Sequence, residues 1–187
     1  QRQMCIRDRY YTDKHGRPYL YEETTGIRTP FQYFGIALDP NMEPDPALTD
    51  LACSTLGVHA ECFKMDNQTT VVPEEGTRPE NPIYKPISWI KVHGDIDYDK
   101  LEVLCVEAWR KLELPRILLE LCANDVPKTR YVVGMRAVES AAATLARPVR
   151  IDTAALLGIG KRIAAHTGAS KVAYDISIKP PATIEFE

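Results

Sequence analysis

An α+β fold is what this 187-residue sequence predicts, on three observations. Near the C-terminus Val172, Tyr174 and Ile176 alternate with Lys171, Ala173 and Asp175, the period of two that places one set of side chains on one face of a strand. Residues 98–113 carry Leu101, Leu104, Cys105, Ala108 and Leu112 at helical spacing. Residues 153–165 repeat that period, with Ala155, Ile159 and Ile163 on one face and Lys161 and Arg162 opposite. Strands and helices that each carry one apolar face bury them against one another.

The elements are read in chain order. Residues 10–30 are tyrosine-rich and polar, with Gly16, Pro18 and Gly26 as breakers, and predict loop with one short hairpin. Residues 31–38, FQYFGIAL, predict a strand. The following DPNMEPDPALTD, with three prolines and acidic caps, predicts a loop that starts a short helix near Leu48. Gln68 to Val72 and Ile87–Val92 predict two further strands, joined by a polar connector. In the helix over 98–113, Asp97 or Asp99 serves as the N-cap; Pro115 ends it, and Arg116 to Cys122 predicts a short second helix. Residues 141–146 predict a helical turn closed by Pro148. Asp152 caps the helix over 153–165, and Gly168 supplies its C-cap before the last strand.

Size and charge narrow the functional classes. The length accommodates one domain, or one domain with a large insertion. A globule of this size buries roughly 70% of its unfolded surface, so its core requires neither disulfide nor metal. No run approaches ~18 consecutive apolar residues, and no membrane span is expected. The net charge of −3 is unevenly spread: residues 10–127 hold 11 basic against 20 acidic residues, and residues 128–187 hold 9 against 5. A basic C-terminal part suggests that it meets an anion. Nine cations suit a small phosphate ligand better than a nucleic-acid track.

Cys53, Cys62, Cys105 and Cys122 form no CxxC motif, and reduced thiols fit a cytoplasmic location. Cys105 lies on the apolar face of its helix and reads as core. Cys53, His59 and Cys62 are close in sequence, but a fourth ligand is missing and no metal site is expected. Residues 1–9, QRQMCIRDR, read as a translated artefact of sequencing-library preparation and are set apart from the fold. On that reading residues 10–187 form the domain, and the chain is a fragment.

The end of the chain admits two readings. At Lys179-Pro180-Pro181 the alternation stops, because two prolines lack N–H groups and fix φ, so an extended, stiff stretch outside any sheet ladder is expected. One reading is an edge strand with a polar tail. The other is a ligand clamp, in which Lys179 offers an ammonium, Thr183 a hydroxyl and N–H, and Glu185 a carboxylate.

YDISIKPPATIEFE, running from Tyr174 to Glu187, resembles the C-terminal signature of GMP synthases, YDIS-x-KPPATIE(W/F)E. Arg130 to Glu139 resembles that family's Y-x-W-V-V-S-L-R-A-V-E strand, and FQYFGIALD its first dimerisation-domain strand. TLGVHAE (55–61) resembles the family's S-V-G-V-M-G-D turn only at Gly57-Val58. Lys91 to Asp95 resembles the R-V-L-G-E stretch that precedes this domain, but stands on the wrong side of Gln32 for that assignment. The resemblance covers residues 128–187 and 31–38, leaving about 62–128 as an unmatched insertion.

The resemblance implies two layers, with helices packed on a small, mostly antiparallel sheet, and a homodimer formed through this domain. It implies a site for xanthosine monophosphate (XMP), with Lys179 on the phosphate, Ile184 and Glu185 closing over the nucleotide, and Gln32 in contact with it or else on solvent. Lys171 stands where the family has an arginine, keeping the charge without the planar fork. Arg136 serves the same pocket or pairs with Glu139 on the surface. The family's ATP pyrophosphatase unit needs an S-G-G-x-D-S loop and its glutamine amidotransferase unit a G-x-C-x-G nucleophile. Neither motif is in this sequence, so ATP and Mg belong to the whole enzyme, and no catalytic residue or cofactor is assigned here. A stand-alone, non-catalytic nucleotide-binding and dimerisation module is the alternative.

Overall fold

Two strand–helix–strand units meet at the centre of one sheet in the computed structural model, which describes residues 31–38, 41–66, 87–140 and 144–183. The elements are β1 (Phe31–Leu38), β2 (Asn41–Pro44), α1 (Pro46–Leu56), β3 (Ala60–Asp66), β4 (Ile87–Val92) and α2 (Tyr98–Leu112). They continue with β5 (Arg116–Ala123), β6 (Val132–Glu139), β7 (Arg147–Pro148), α3 (Thr153–Thr167) and β8 (Lys171–Asp175). The strand order is β1-β6-β8-β5-β4-β3-β2, with β7 paired to β6.

In the first unit α2 joins the parallel pair β4 and β5. In the second α3 lies between the parallel strands β6 and β8. The two units join where β5 and β8 run antiparallel, and antiparallel strands β3 and β1 flank them. The sheet is therefore mostly antiparallel, and the fold is a two-layer α+β arrangement.

Among the described residues, the three helices lie on one face. Leu48 and Ala52 of α1, Leu104 and Ala108 of α2, and Leu156 and Ala164 of α3 share a core with Ile90, Ile117, Leu119, Val172 and Tyr174 of the strands. The other face holds Trp89, Leu118, Val132 and Ala173 with Leu38, Met65 and Ile87, and no described helical residue joins it. The predicted division of β8 holds, with Val172, Tyr174 and Ile176 on the helix side and Ala173 opposite.

The helix caps follow the sequence. Asp97 accepts from the N–H groups of Asp99 and Lys100 at the start of α2. Asp152 accepts from Ala155 N–H at the start of α3, and Gly168, at φ 70°, ends it in the left-handed region that glycine adopts without strain.

Several expectations are corrected. Arg116–Ala123 is a strand, not a helix. Its leucines suit a helix, but Ile117 and Leu119 are buried on the helix side and Leu118 on the other. Burial on both faces is what a central strand requires, and a short apolar run cannot distinguish the two by period. The helix expected near Leu48 forms as the 11-residue α1, but the stretch before it holds β2 where a loop was expected. Pro46 occupies the first helical turn, where its missing N–H costs nothing, and Asp45 caps it by accepting from Leu48 N–H at 3.1 Å.

Strand β8 is not an edge: it lies between β6 and β5. The strand expected at 68–72, the loop at 10–30 and residues 141–143 of the turn at 141–146 lie outside the described residues, while residues 144–145 form a bend. Ala146 itself bridges to Lys179 rather than being helical.

Candidate functional site

The C-terminal turn is tied to the sheet by a buried charge network that begins at the last residue of β8. Asp175 is fully buried, as is Arg136 of β6, and Arg116 at the start of β5 is 5% exposed. Arg136 Nη1 lies 3.0 Å from Asp175 Oδ1, and Arg116 Nη1 donates to Asp175 Oδ2. The strand order explains the meeting: β6 and β5 flank β8, so one arginine reaches the carboxylate from each side. The Ser177 N–H adds a third donor, at 2.9 Å from Oδ1.

Burial by itself would raise the Asp175 carboxyl, but Arg136 and Arg116, with the Ser177 hydrogen bonds, hold it below the usual carboxylate range. Burial pulls the Arg136 guanidinium below its ordinary value, partly offset by Asp175. A buried pair of this kind is weak evidence for stability in itself, because desolvation offsets the attraction. What it fixes is geometry.

The guanidiniums extend the grip along the turn. Arg116 Nη2 donates to Thr183 Oγ1 at 2.7 Å and to the Thr183 carbonyl at 3.3 Å. Arg136 donates to the Ser177 carbonyl at 3.1 Å and the Thr183 carbonyl at 2.9 Å. Ser177 Oγ accepts from Ile117 N–H at 2.7 Å. Lys179 and Ala146 exchange two backbone hydrogen bonds, at 2.8 and 3.1 Å. Between these anchors Pro180 and Pro181 form a turn, with cis bonds preceding both prolines, and Ala182 N–H reaches the Ile178 carbonyl at 3.0 Å. The stretch therefore folds back instead of running extended, and the Lys179 backbone is held by its bridge to Ala146.

Arg136 is not paired with Glu139 on the surface. It is wholly buried and joins Asp175, whereas Glu139 is exposed. Gln32 pairs through its backbone with Val138, which also pairs with Pro148, two residues beyond the Ala146 that bridges to Lys179. Gln32 and Lys179 therefore share one end of the sheet.

Lys171 opens β8 at its other end. Its Nζ is 3.7 Å from Glu120 Oε2 and 5.9 Å from the ring centres of Phe63 and Trp89. The Trp89 indole N–H donates to the same Glu120 oxygen at 2.7 Å. Ile184 and Glu185 lie outside the described residues, but they follow closely on Thr183, whose carbonyl and hydroxyl are gripped.

Sequence reasoning missed Arg116 and Asp175 as partners. An aspartate in the middle of an apolar alternation was the available signal, since a carboxylate on a buried strand demands cationic partners. Arg116 gave none while its segment read as helix. Thr183 was singled out as a ligand donor, yet its hydroxyl is used by Arg116.

The fold and this network define a two-layer α+β domain with a braced C-terminal turn. Residues 122–186 match the family model for the GMP synthase C terminal domain. The chain is similar to one subunit of the glutamine-hydrolysing GMP synthase of Methanoregula boonei, 47% identical over 112 residues, covering 52% of this chain and 37% of the relative. It is 45% identical over 65 residues to the corresponding subunit from Archaeoglobus fulgidus, covering 34% and 22% of the two chains. It is 35% identical over 134 residues to the glutamine-hydrolysing GMP synthase of Alkaliphilus metalliredigens, covering 62% and 26%. The chain thus spans between about a fifth and two fifths of these relatives.

Proposed function

We propose that the chain supplies the dimerisation and XMP-binding part of a GMP synthase, the ATP-dependent ligase that converts XMP to GMP with glutamine-derived ammonia. The observation that carries this reading is the double anchorage of the turn. Arg116 and Arg136 hold Thr183, and Ala146 holds Lys179, so the residues expected to contact nucleotide leave from fixed backbone positions.

A clamp built this way loses little conformational entropy on binding, because folding has already ordered it. Lys179 then meets the nucleotide phosphate, a charge-assisted contact worth roughly 1.5–3 kcal/mol. Ile184 and Glu185 close over the nucleotide, and Gln32 reaches it from the same end of the sheet. Lys171, beside Glu120 at the far end of β8, is assigned to that carboxylate instead. ATP, Mg and ammonia are handled by the pyrophosphatase and amidotransferase units of the same enzyme, in the cytoplasm, with this domain pairing two copies. Among the described residues no helix is long and apolar enough to cross a membrane.

Calorimetric titration of XMP into the chain, with GMP and AMP as comparators, tests the reading. Saturable binding of one XMP per chain, tighter than AMP, is expected. Equal or absent binding of all three nucleotides would overturn it.

A further inference from the structure

At the end of the sheet remote from the clamp, β3 and β4 bring together a set of side chains that the nucleotide reading does not use. His59 precedes β3, His93 follows β4, and His93 N–H donates to the His59 carbonyl at 3.0 Å, continuing the ladder by one pair. Their rings stack at a centroid separation of 5.0 Å and an interplanar angle of 27°. Glu61, two residues beyond His59, points to the same face of the strand, and its Oε2 is 3.2 Å from His93 Nε2. One ligand atom from each of the three lies within 4.8 Å of the other two.

We propose that His59, Glu61 and His93 bind a divalent transition-metal ion of zinc's class, clipping the open ends of β3 and β4 together. Two imidazoles and one carboxylate form a donor set that zinc accepts, leaving a fourth position for water. Imidazole donors favour zinc, nickel or copper over magnesium or calcium, so this site is distinct in kind from a magnesium–phosphate site. Ligand atoms at ~2.0–2.2 Å from a tetrahedral ion stand about 3.3–3.6 Å apart. Binding draws the three atoms closer together on backbones whose pairing is already made.

Cys53 and Cys62 do not join the set. The Cys53 thiol bonds Ala60, with its sulfur 3.6 Å from the carbonyl and 3.4 Å from the N–H. Cys62 is buried on the helix side of the sheet. The competitor is Lys91, whose Nζ lies 3.6 Å from Glu61 Oε2 and which the ion displaces.

The test is calorimetric titration of zinc into the whole chain at pH 7.5 with a phosphine reductant, alongside absorption spectra with cobalt. One zinc per chain is expected at micromolar affinity, with cobalt bands lacking thiolate charge transfer and millimolar magnesium failing to compete. Both histidines are exposed, so His59→Ala and His93→Ala keep the fold, verified by circular dichroism, and each weakens zinc at least about tenfold. Unchanged affinity in both variants, thiolate charge transfer with cobalt, or no saturable binding would overturn the proposal.

Discussion

Arg136 Nη1 lies 3.0 Å from Asp175 Oδ1, with neither side chain exposed to solvent. The contact joins the centre of the sheet to the turn that follows it, and Arg116 completes it from the other side. Removing one partner from such a pair strands the rest of the charge in a dry interior. Asp175→Asn is therefore expected to destabilise the domain by about 3–5 kcal/mol. Urea unfolding followed by circular dichroism checks this, and a loss under 1 kcal/mol would show the network to be dispensable.

The same carboxylate predicts the acid response. Its folded pKa lies below the ordinary value, whereas in the unfolded chain an aspartate titrates near 3.9. Its stabilising contribution is thus present in full above the unfolded value and is lost as pH falls through the folded value. The stability gap between wild type and Asp175→Asn should stay constant from about pH 7 to 5 and narrow below about pH 4. Urea midpoints across that range measure it; a gap that widens in acid would reverse the assigned sign.

Two glycines of α3 separate helix propensity from packing. A Cβ at Gly158 would meet nothing within 4 Å, but at Gly160 it would stand 2.7 Å from Leu121 Cβ. Leu121 sits where the β5–β8 register shifts between Glu120 and Cys122, and it is buried on the helix side of the sheet. Gly158→Ala is expected to stabilise by about 0.4–1 kcal/mol and Gly160→Ala to cost about 1–3 kcal/mol. Thermal unfolding of the two variants would show opposite shifts.

Ser88, fully buried in β4, has no hydrogen-bond partner for its hydroxyl among the described residues. An unsatisfied buried hydroxyl costs about 1–3 kcal/mol relative to a satisfied one. Ser88→Ala is therefore expected to be neutral or up to about 1 kcal/mol more stable. A clear loss of stability in the urea midpoint would mean that the oxygen is satisfied.

Much of this architecture was legible locally. The alternation of Val172, Tyr174 and Ile176, the stripe from Leu101 to Leu112, and the caps at Asp97, Asp152 and Gly168 are short-range signals, and each element formed as read. What the sequence withheld is set by long-range pairing. Arg116–Ala123 becomes a strand only because β4 and β8 stand ready on both sides of it. Pro46 looked like a breaker because its role depends on the cap that precedes it. The turn residues were legible as a group, whereas the grip of Arg116 and Arg136 on Asp175 and Thr183 joins positions on three strands and the final turn. The cysteines drew attention near His59, while the fold supplied Glu61 and His93 from strand register instead.

The central claim is that the anchored turn presents Lys179 to the phosphate of XMP while Lys171 serves Glu120. XMP titrations into wild type, Lys179→Ala and Lys171→Ala test it most directly. The account predicts at least a tenfold loss of affinity, about 1.4 kcal/mol, for Lys179→Ala with an unchanged unfolding midpoint, and a change under about twofold for Lys171→Ala. Undiminished affinity in Lys179→Ala, or a larger loss in Lys171→Ala, would contradict it.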